Sequence, residues 1–249
     1  LLRASQSLQW NEDDLLYDVI HGLKEIGNTS ALNALIALTQ RKDLRASTAL
    51  SACNAVIFFN QPQHVLEKVE SIAFFANRGL ILTSEYDAQY SAIDLLGKMG
   101  AIACDALEIA FKLADGKQWY NRAEFLYATN AAIIQCGKPM VPFLRKELLN
   151  SQTGQQARAA ILLKEIDIET IRYPGMVQGL TKIAQSGLPL RKFMPILDIK
   201  LSIISACEGL VLLGKTKKVI EPIEKIALEI WGSTIIYIEA YERALRLLK

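Results

Sequence analysis

The feature of this sequence that most limits its fold is a recurring turn between two helical patterns. In several places an amphipathic helical pattern ends in an apolar residue and a glycine, and a second amphipathic pattern begins after a short polar step. "LLGKMGAIACDALEIAFKL" turns at Gly100, and "IIQCGKPMVPFLRKELL" turns at Gly137. Glycine suits this place because a helix commonly ends with a left-handed residue, a conformation that glycine adopts without penalty. The pattern predicts pairs of helices joined by tight turns.

These turns recur along the chain at a roughly constant interval. We place six of them, about 37 residues apart on average, at Gly27, Asn60, Gly100, Gly137, Asp167 and Gly214. Asn60 and Asp167 replace glycine, and the last interval contains an irregular segment around "SGLPLRKFMPILD". Alternating patterns typical of strands are weak throughout. Such an interval is typical of two-helix solenoid repeats.

The residues around these turns resemble the HEAT-repeat family. "GKPMVPFL" at 137–144 is similar to the compact glycine-turn repeats of many bacterial proteins and of phycobilin-lyase-type proteins. The resemblance extends from about Asp13 to Lys249. It implies an all-α, right-handed, armadillo-like α-solenoid of about six helix pairs plus a C-terminal helix, in a single domain over 1–249. Because the sequence lacks an initiator Met, we expect this domain to be excised from a longer chain.

The composition favours a soluble helical array. The hydrophobic fraction is 51% and the mean hydropathy is +0.19, yet no stretch approaches the roughly 18 uninterrupted apolar residues of a membrane helix. The four cysteines are isolated from one another and from histidine, which argues against a disulfide framework or a zinc site. We therefore expect a cytoplasmic protein with no cofactor, no metal and no membrane partner.

One segment, "GLVLLGKT" at 209–216, fits the phosphate-loop pattern G-x-x-x-x-G-K-[ST]. A working phosphate loop follows a strand and opens a helix, so that free backbone N–H groups point at the phosphates. Here Leu-Val-Leu-Leu continues a helical pattern. We predict instead that Gly214 ends a helix and that Gly209 permits close approach of a neighbouring helix. His21 and His64 belong to different repeats, and the chain has no nucleophile signature, so we expect a non-enzymatic protein.

The candidate binding residues are basic or aromatic. The second helix of such a pair usually lines the concave face of a solenoid. Basic residues assigned to second helices, or to the turn before one, are Arg145, Lys146, Lys182, Lys217, Lys218 and Lys225. Trp119 and Tyr120 follow an Asp-Gly turn, where they either anchor a partner or join the third and fourth pairs. Carboxylates such as Glu147 and Glu224 lie among the basic residues, which favours a protein or peptide over nucleic acid.

These observations leave three functional alternatives open. The first is a scaffold or adaptor that binds a protein through its concave face or its turns. The second is nucleic-acid binding, which the resemblance to HEAT-type alkylpurine DNA glycosylases implies, and which the charge distribution allows. Residues 172–249 carry 12 Lys and Arg against 7 Asp and Glu, whereas residues 1–171 carry 16 against 19. The third, implied by the glycine-turn repeats, is a lyase or chaperone for a bilin chromophore.

Overall fold

The protein is helical throughout its described part. The structure is a computed structural model that describes residues 12–74, 83–114, 122–150, 153–186, 196–231 and 246–247. Its α-helices are α1 (Glu12–Ile26), α2 (Thr29–Gln40), α3 (Ala46–Phe58), α4 (Leu66–Ala73), α5 (Thr83–Met99), α6 (Cys104–Ala114), α7 (Arg122–Cys136), α8 (Val141–Asn150), α9 (Thr153–Ile166), α10 (Met176–Ser186), α11 (Ile196–Leu212) and α12 (Ile220–Trp231). The all-α prediction is confirmed for these ranges, and none of their helices is long and apolar enough to cross a membrane.

The odd-numbered helices end at the predicted turns. Each of α1, α3, α5, α7, α9 and α11 ends one or two residues before the turn residue that the sequence predicts. Five of these turn residues have a positive φ, namely Gly27 (69°), Asn60 (56°), Gly100 (65°), Gly137 (73°) and Gly214 (67°). Glycine is favoured at such a φ because a Cβ would meet the backbone. The turns are therefore helix C-caps, placed by local backbone requirements.

Asn60 ends its helix as a glycine would. Its N–H donates to the carbonyl oxygen of Ile57 at 2.8 Å, and the N–H of Gln61 donates to that of Val56 at 3.4 Å. These two bonds form the Schellman arrangement of a helix C-terminus. Asparagine tolerates the left-handed conformation better than other residues with a side chain. The second turn thus keeps the geometry of the glycine turns.

The fifth turn has a different geometry. Asp167 has an extended backbone (φ −155°), and its carboxylate accepts a hydrogen bond from the N–H of Glu169 at 3.0 Å. The Thr170 hydroxyl donates to the carbonyl oxygen of Leu163 at 2.8 Å, which ties this turn to the end of α9. Asp167 therefore caps the start of the next element, and the positive φ appears later, at Gly175 (88°).

A short 3-10 helix follows five of the six turns. These segments are Pro62–His64, Gly100–Ala103, Lys138–Met140, Ile168–Arg172 and Thr216–Lys218. A buried apolar residue within or just after each segment anchors it to the core, for example Val65, Met140 and Val219. The polar step that the sequence shows after each turn therefore leads into the second helix through a tighter helical turn.

The contacts divide the chain into two compact units, Leu1–Ala110 and Phe111–Lys249. In the first unit α3 contacts α1 and α5, while α2 packs on α3 and α4 on α5. Fully buried residues of this unit include Leu35, Val56, Val69, Ile93 and Leu96. The single domain over 1–249 stays a prediction.

Helix α9 lies at the centre of the second unit, where it contacts α7, α8, α10 and α11. The rings of Phe111 and Phe143 pack edge to face with centroids 5.3 Å apart. The buried guanidinium of Arg158 lies 3.7 Å from the Phe111 centroid, within the range of a cation–π contact. Aromatic rings and one buried cation thus form part of this core.

Candidate functional site

The segment 209–216 is a helix end, as predicted. Gly209 lies inside α11, and the Gly214 N–H donates to the Val211 carbonyl oxygen at 2.9 Å. The Lys215 N–H donates to the Leu210 carbonyl oxygen at 2.8 Å, which completes a Schellman arrangement. Because these N–H groups bond within the helix end, they cannot bind phosphate oxygens. The segment therefore lacks the geometry of a nucleotide site.

Gly209 also has the packing role that the sequence predicts, although the neighbour is a side chain. A Cβ added at Gly209 would lie 2.8 Å from Cδ1 of Leu180 in α10 and 3.5 Å from Cδ1 of Ile171. Leu180 is fully buried. The space that glycine leaves at this position is occupied by a leucine side chain of the preceding helix pair.

The predicted binding residues of α8 and α10 have different environments. Arg145 and Lys146 are both exposed on α8, and the Arg145 guanidinium lies 4.8 Å from the centroid of the Tyr173 ring. Lys182, in contrast, is half-buried, and its ammonium donates to Oε1 of Gln156 at 2.7 Å. Lys182 thus contributes to the packing of α10 on α9. Trp119 and Tyr120 lie outside the described residues.

The remaining predicted residues lie in the last helix pair. Lys217 and Lys218 are exposed in the 3-10 helix Thr216–Lys218, next to the exposed Lys215. Lys225 is exposed on α12. The structure thus brings three lysines to one turn, between the end of α11 and the start of α12.

A polar cluster between α9 and α11 was not predicted from the sequence. The Lys164 ammonium donates to Oγ of Ser205 at 2.7 Å and to the Glu208 carboxylate at 3.2 Å. The Ser205 hydroxyl donates in turn to Oε1 of Glu165 at 2.9 Å. The residues of each pair are about 40 positions apart in sequence. A short Ser-Lys-Glu sequence motif is therefore absent, and no local signal could have identified the cluster.

A nucleophilic role for Ser205 requires more than a base. The developing oxyanion needs donors, usually free backbone N–H groups. Ser205 lies inside α11, where helical hydrogen bonds use the backbone N–H groups, and only 8% of its surface is exposed. The cluster therefore acts as a satisfied polar contact that fixes α11 on α9.

Some other titratable groups of the described residues form surface ion pairs, such as Lys98 with Asp94 at 2.7 Å, and others are buried. Burial raises the pKa of the Cys53 and Cys207 thiols to about 12, so both side chains are neutral and unreactive at neutral pH. Burial also raises the pKa of Glu70, with smaller contributions from the carboxylates of Asp105 and Glu67. Within the described ranges, no group of three or more His, Cys, Asp or Glu could hold a metal ion.

Large apolar side chains are exposed near all six turns. These residues, named here the exposed turn residues, are Ile26, Phe58, Ile102, Ile134, Ile168 and Leu212, and they are between 40% and 64% exposed. In the first unit the Lys24 ammonium, near the end of α1, lies 4.4 Å from the centroid of the Phe58 ring. The first and second turns therefore lie close together. In the second unit the Lys164 contacts join the C-terminal part of α9 to that of α11.

Comparison with known proteins gave no relative to set beside this geometry. No family model, curated protein or solved structure matches the chain.

Proposed function

We propose that this chain is a HEAT-like α-solenoid whose role is to bind another protein, as a scaffold or adaptor without catalytic activity. The periodic turns and helix pairs support the architecture. So do the contacts of α3 with α1 and α5, and of α9 with α7 and α11. Contacts between the first helices of successive pairs are what stacked two-helix repeats require.

The observation that carries the function is the set of exposed turn residues. Isolated apolar residues on a surface need no special explanation. Here, however, an apolar side chain is exposed near each of the six turns. Because these side chains are exposed, replacing one of them with a polar residue would cost little core packing. Four of these residues come one to three positions before the turn residue and two come one or two positions after it. Recurrence of exposed apolar side chains close to every turn instead fits a surface that a partner covers, because stacked repeats form extended binding surfaces.

The test is site-specific photo-crosslinking from these positions in cells. A benzophenone amino acid replaces Ile102, Ile134 or Ile168 in turn, and matched controls replace Ser91 and Ala131, which are exposed in the middle of α5 and α7. We expect the same protein to be crosslinked from the turn positions and not from the controls. Equal crosslinking from turns and controls, or none from the turns, would exclude turn-mediated protein binding.

Nucleic-acid binding is a second candidate because three exposed lysines lie at the sixth turn. Phosphate contacts release counterions, so the affinity of such a site falls steeply with salt. A gel-shift series over increasing NaCl concentration tests it. A protein that binds neither duplex nor single-stranded DNA or RNA at low salt excludes this candidate.

A further inference from the structure

The sixth turn combines basic and apolar side chains in one short exposed segment. Leu212 is 62% exposed at the end of α11, and Ile220 is 50% exposed at the start of α12. Between them lie the exposed lysines 215, 217 and 218. We name these five residues the sixth-turn patch. We propose that this patch is the docking site for an acidic segment of a partner protein, one in which Asp or Glu alternates with Leu or Ile. This inference rests on the proposed function.

The backbone of the patch is fixed at both ends. The Schellman bonds of Gly214 and Lys215 hold its start, as described above. Val219, which is 2% exposed, anchors its end, and its N–H donates to the Thr216 carbonyl oxygen at 3.0 Å. The three lysines therefore project from an ordered turn. Because the backbone is already ordered, the turn loses less conformational entropy when a partner binds.

The charge of the patch selects a partner with carboxylates. The exposed carboxylate nearest in sequence is Glu221, so lysine outnumbers acidic residues within the patch and its border. Charge complementarity of this kind steers a partner and fixes its orientation. The aliphatic side chains of Leu212 and Ile220 can pack against apolar residues of a partner but not against its carboxylates. Together they match a segment with both residue types.

Two other anionic partners fit the patch less well. A single-stranded nucleic acid site normally adds aromatic rings on which bases stack, and the patch offers aliphatic side chains instead. An anionic membrane surface is normally recognised by about four to eight basic residues, more than the patch contains. Glu221 and Glu224 are also exposed at the start of α12, where they would repel an extended negative surface.

A second copy of this chain is a further occupant to test. The segment 165–169, "EIDIE", at the fifth turn has the same alternation of acidic and aliphatic residues. Ile168 in this segment is exposed. A contact between this segment and the sixth-turn patch would involve only a few residues, however, whereas a stable dimer buries about 20–30 residues on each side. A short partner segment is therefore the better match for a patch of this size.

The experiment measures binding of a synthetic peptide by fluorescence anisotropy. The probe is a fluorescein-labelled peptide of about 12 residues in which Asp or Glu alternates with Leu or Ile. One control peptide has Gln in place of every acidic residue, and another has Ser in place of every aliphatic residue. We expect saturable binding of the probe that weakens as NaCl rises from about 50 mM to about 500 mM. Each control peptide should bind about tenfold more weakly or not at all.

Protein variants then locate the site. Reversal of charge at Lys215, Lys217 and Lys218, each to Glu, should weaken binding about tenfold or more. The matched control reverses three exposed lysines elsewhere, Lys42, Lys98 and Lys138, and so changes the net charge by the same amount. Its affinity should equal that of the wild type. Leu212→Ser and Ile220→Ser, at exposed positions, should each weaken binding several-fold.

Each remaining outcome contradicts the proposal. Equal loss of affinity in the two triple variants would show that net charge alone acts. Tighter binding of poly(dT), or of phosphatidylcholine vesicles with phosphatidylserine, lost in the sixth-turn variant, would make the patch a nucleic-acid or membrane site. Self-association by sedimentation that the same variant abolishes would identify a second copy as the occupant. Failure of the peptide to bind, with crosslinking still seen from the other turns, would overturn this inference and leave the proposed function intact.

Discussion

Three glycines inside helices offer a direct measurement of how closely the helices of this protein pack. Gly22 lies in α1, Gly179 in α10 and Gly209 in α11. The first is exposed, and a Cβ added there would meet nothing within 4 Å. At Gly179 the added Cβ would lie 2.8 Å from Cβ of Ala160 and 3.3 Å from the Gln156 carbonyl oxygen in α9. The same substitution to alanine therefore meets open space at one site and a neighbouring helix at another.

The expected free energies follow from two opposing effects. Alanine in place of a helical glycine stabilises by about 1 kcal/mol, because the unfolded chain loses conformational freedom. Gly22→Ala should show this gain. Overpacking of a close contact costs about 1–3 kcal/mol. At Gly179 the neighbouring Cβ is fixed to its backbone, so the helices must separate and the cost lies at the upper end of this range. After the gain in helix propensity is subtracted, we expect a net loss of about 2 kcal/mol.

Gly209→Ala should lie between these two values. The atom it would meet is a terminal methyl of Leu180, which rotation of the leucine side chain can move away. The cost then roughly cancels the gain in helix propensity, and the net change should be close to zero. The larger side chain of Gly209→Leu cannot be accommodated by such a rotation, because it enters a site lined by buried residues. We expect it to lose about 3 kcal/mol.

The assay is urea unfolding of the four variants, followed by circular dichroism, with thermal melting as a second measurement. In a protein of this length a change of 1 kcal/mol moves Tm by about 2–4 °C. Gly22→Ala should be the most stable, the wild type and Gly209→Ala should be about equal, and Gly179→Ala and then Gly209→Leu should follow. If Gly179→Ala is as stable as Gly22→Ala, the close approach of α10 to α9 is wrong. The reasoning about helix packing would then fail with it.

Three further predictions concern caps, charges and thiols. Gly214→Ala should cost about 1–2 kcal/mol from its positive φ alone, because the added Cβ meets nothing within 4 Å. Lys164→Met should cost about 1–2 kcal/mol, because it removes a mostly buried ammonium from its hydrogen-bond partners. Lys215→Met, at an exposed position, should change the free energy of unfolding by less than about 0.5 kcal/mol. Urea unfolding measures both. The buried thiols of Cys53 and Cys207 have a pKa raised from 9.0 to about 12. In the unfolded chain they ionise above pH 9, so their contribution to stability is complete below that pH and disappears as pH rises toward 12. A double Cys→Ala variant should flatten that part of the stability profile.

The turns could be predicted from the sequence because their causes are local. A left-handed residue at the end of a helix selects glycine, and apolar spacing on both sides marks the helices that it joins. Gly100 and Gly137 were placed on these grounds, and α5 and α7 end immediately before them. Asp167 shows the limit of this approach. The end of α9 was placed correctly there, but the geometry of the turn depends on the Asp167 carboxylate, which accepts from the Glu169 N–H, and on the contact of Thr170 with α9.

The contacts of the charged residues could not be predicted, because they join distant parts of the chain. Lys182 was assigned to a binding face from its place in a second helix, yet it donates to Gln156, which is 26 positions away. The Lys164 cluster likewise depends on which faces of α9 and α11 meet. The exposure of Ile26 and Leu212 was missed for a related reason. Helical spacing assigns apolar residues to the core, and only the packed structure shows which of them extend beyond it.

The agreement of "GLVLLGKT" with a phosphate-loop pattern has a physical explanation in this fold. The left-handed helix end requires glycine at Gly214, and the buried Leu180 side chain of α10 requires a small residue at Gly209. Lys215, which is exposed just after the helix end, supplies the lysine of the pattern. Each requirement is common in stacked helix pairs, so the spacing can arise without any nucleotide. The four intervening residues distinguish the two cases, since a phosphate loop needs their N–H groups free, whereas here the chain stays helical through Leu212. Apolar residues at helical spacing between the two glycines of such a match therefore indicate a capped helix.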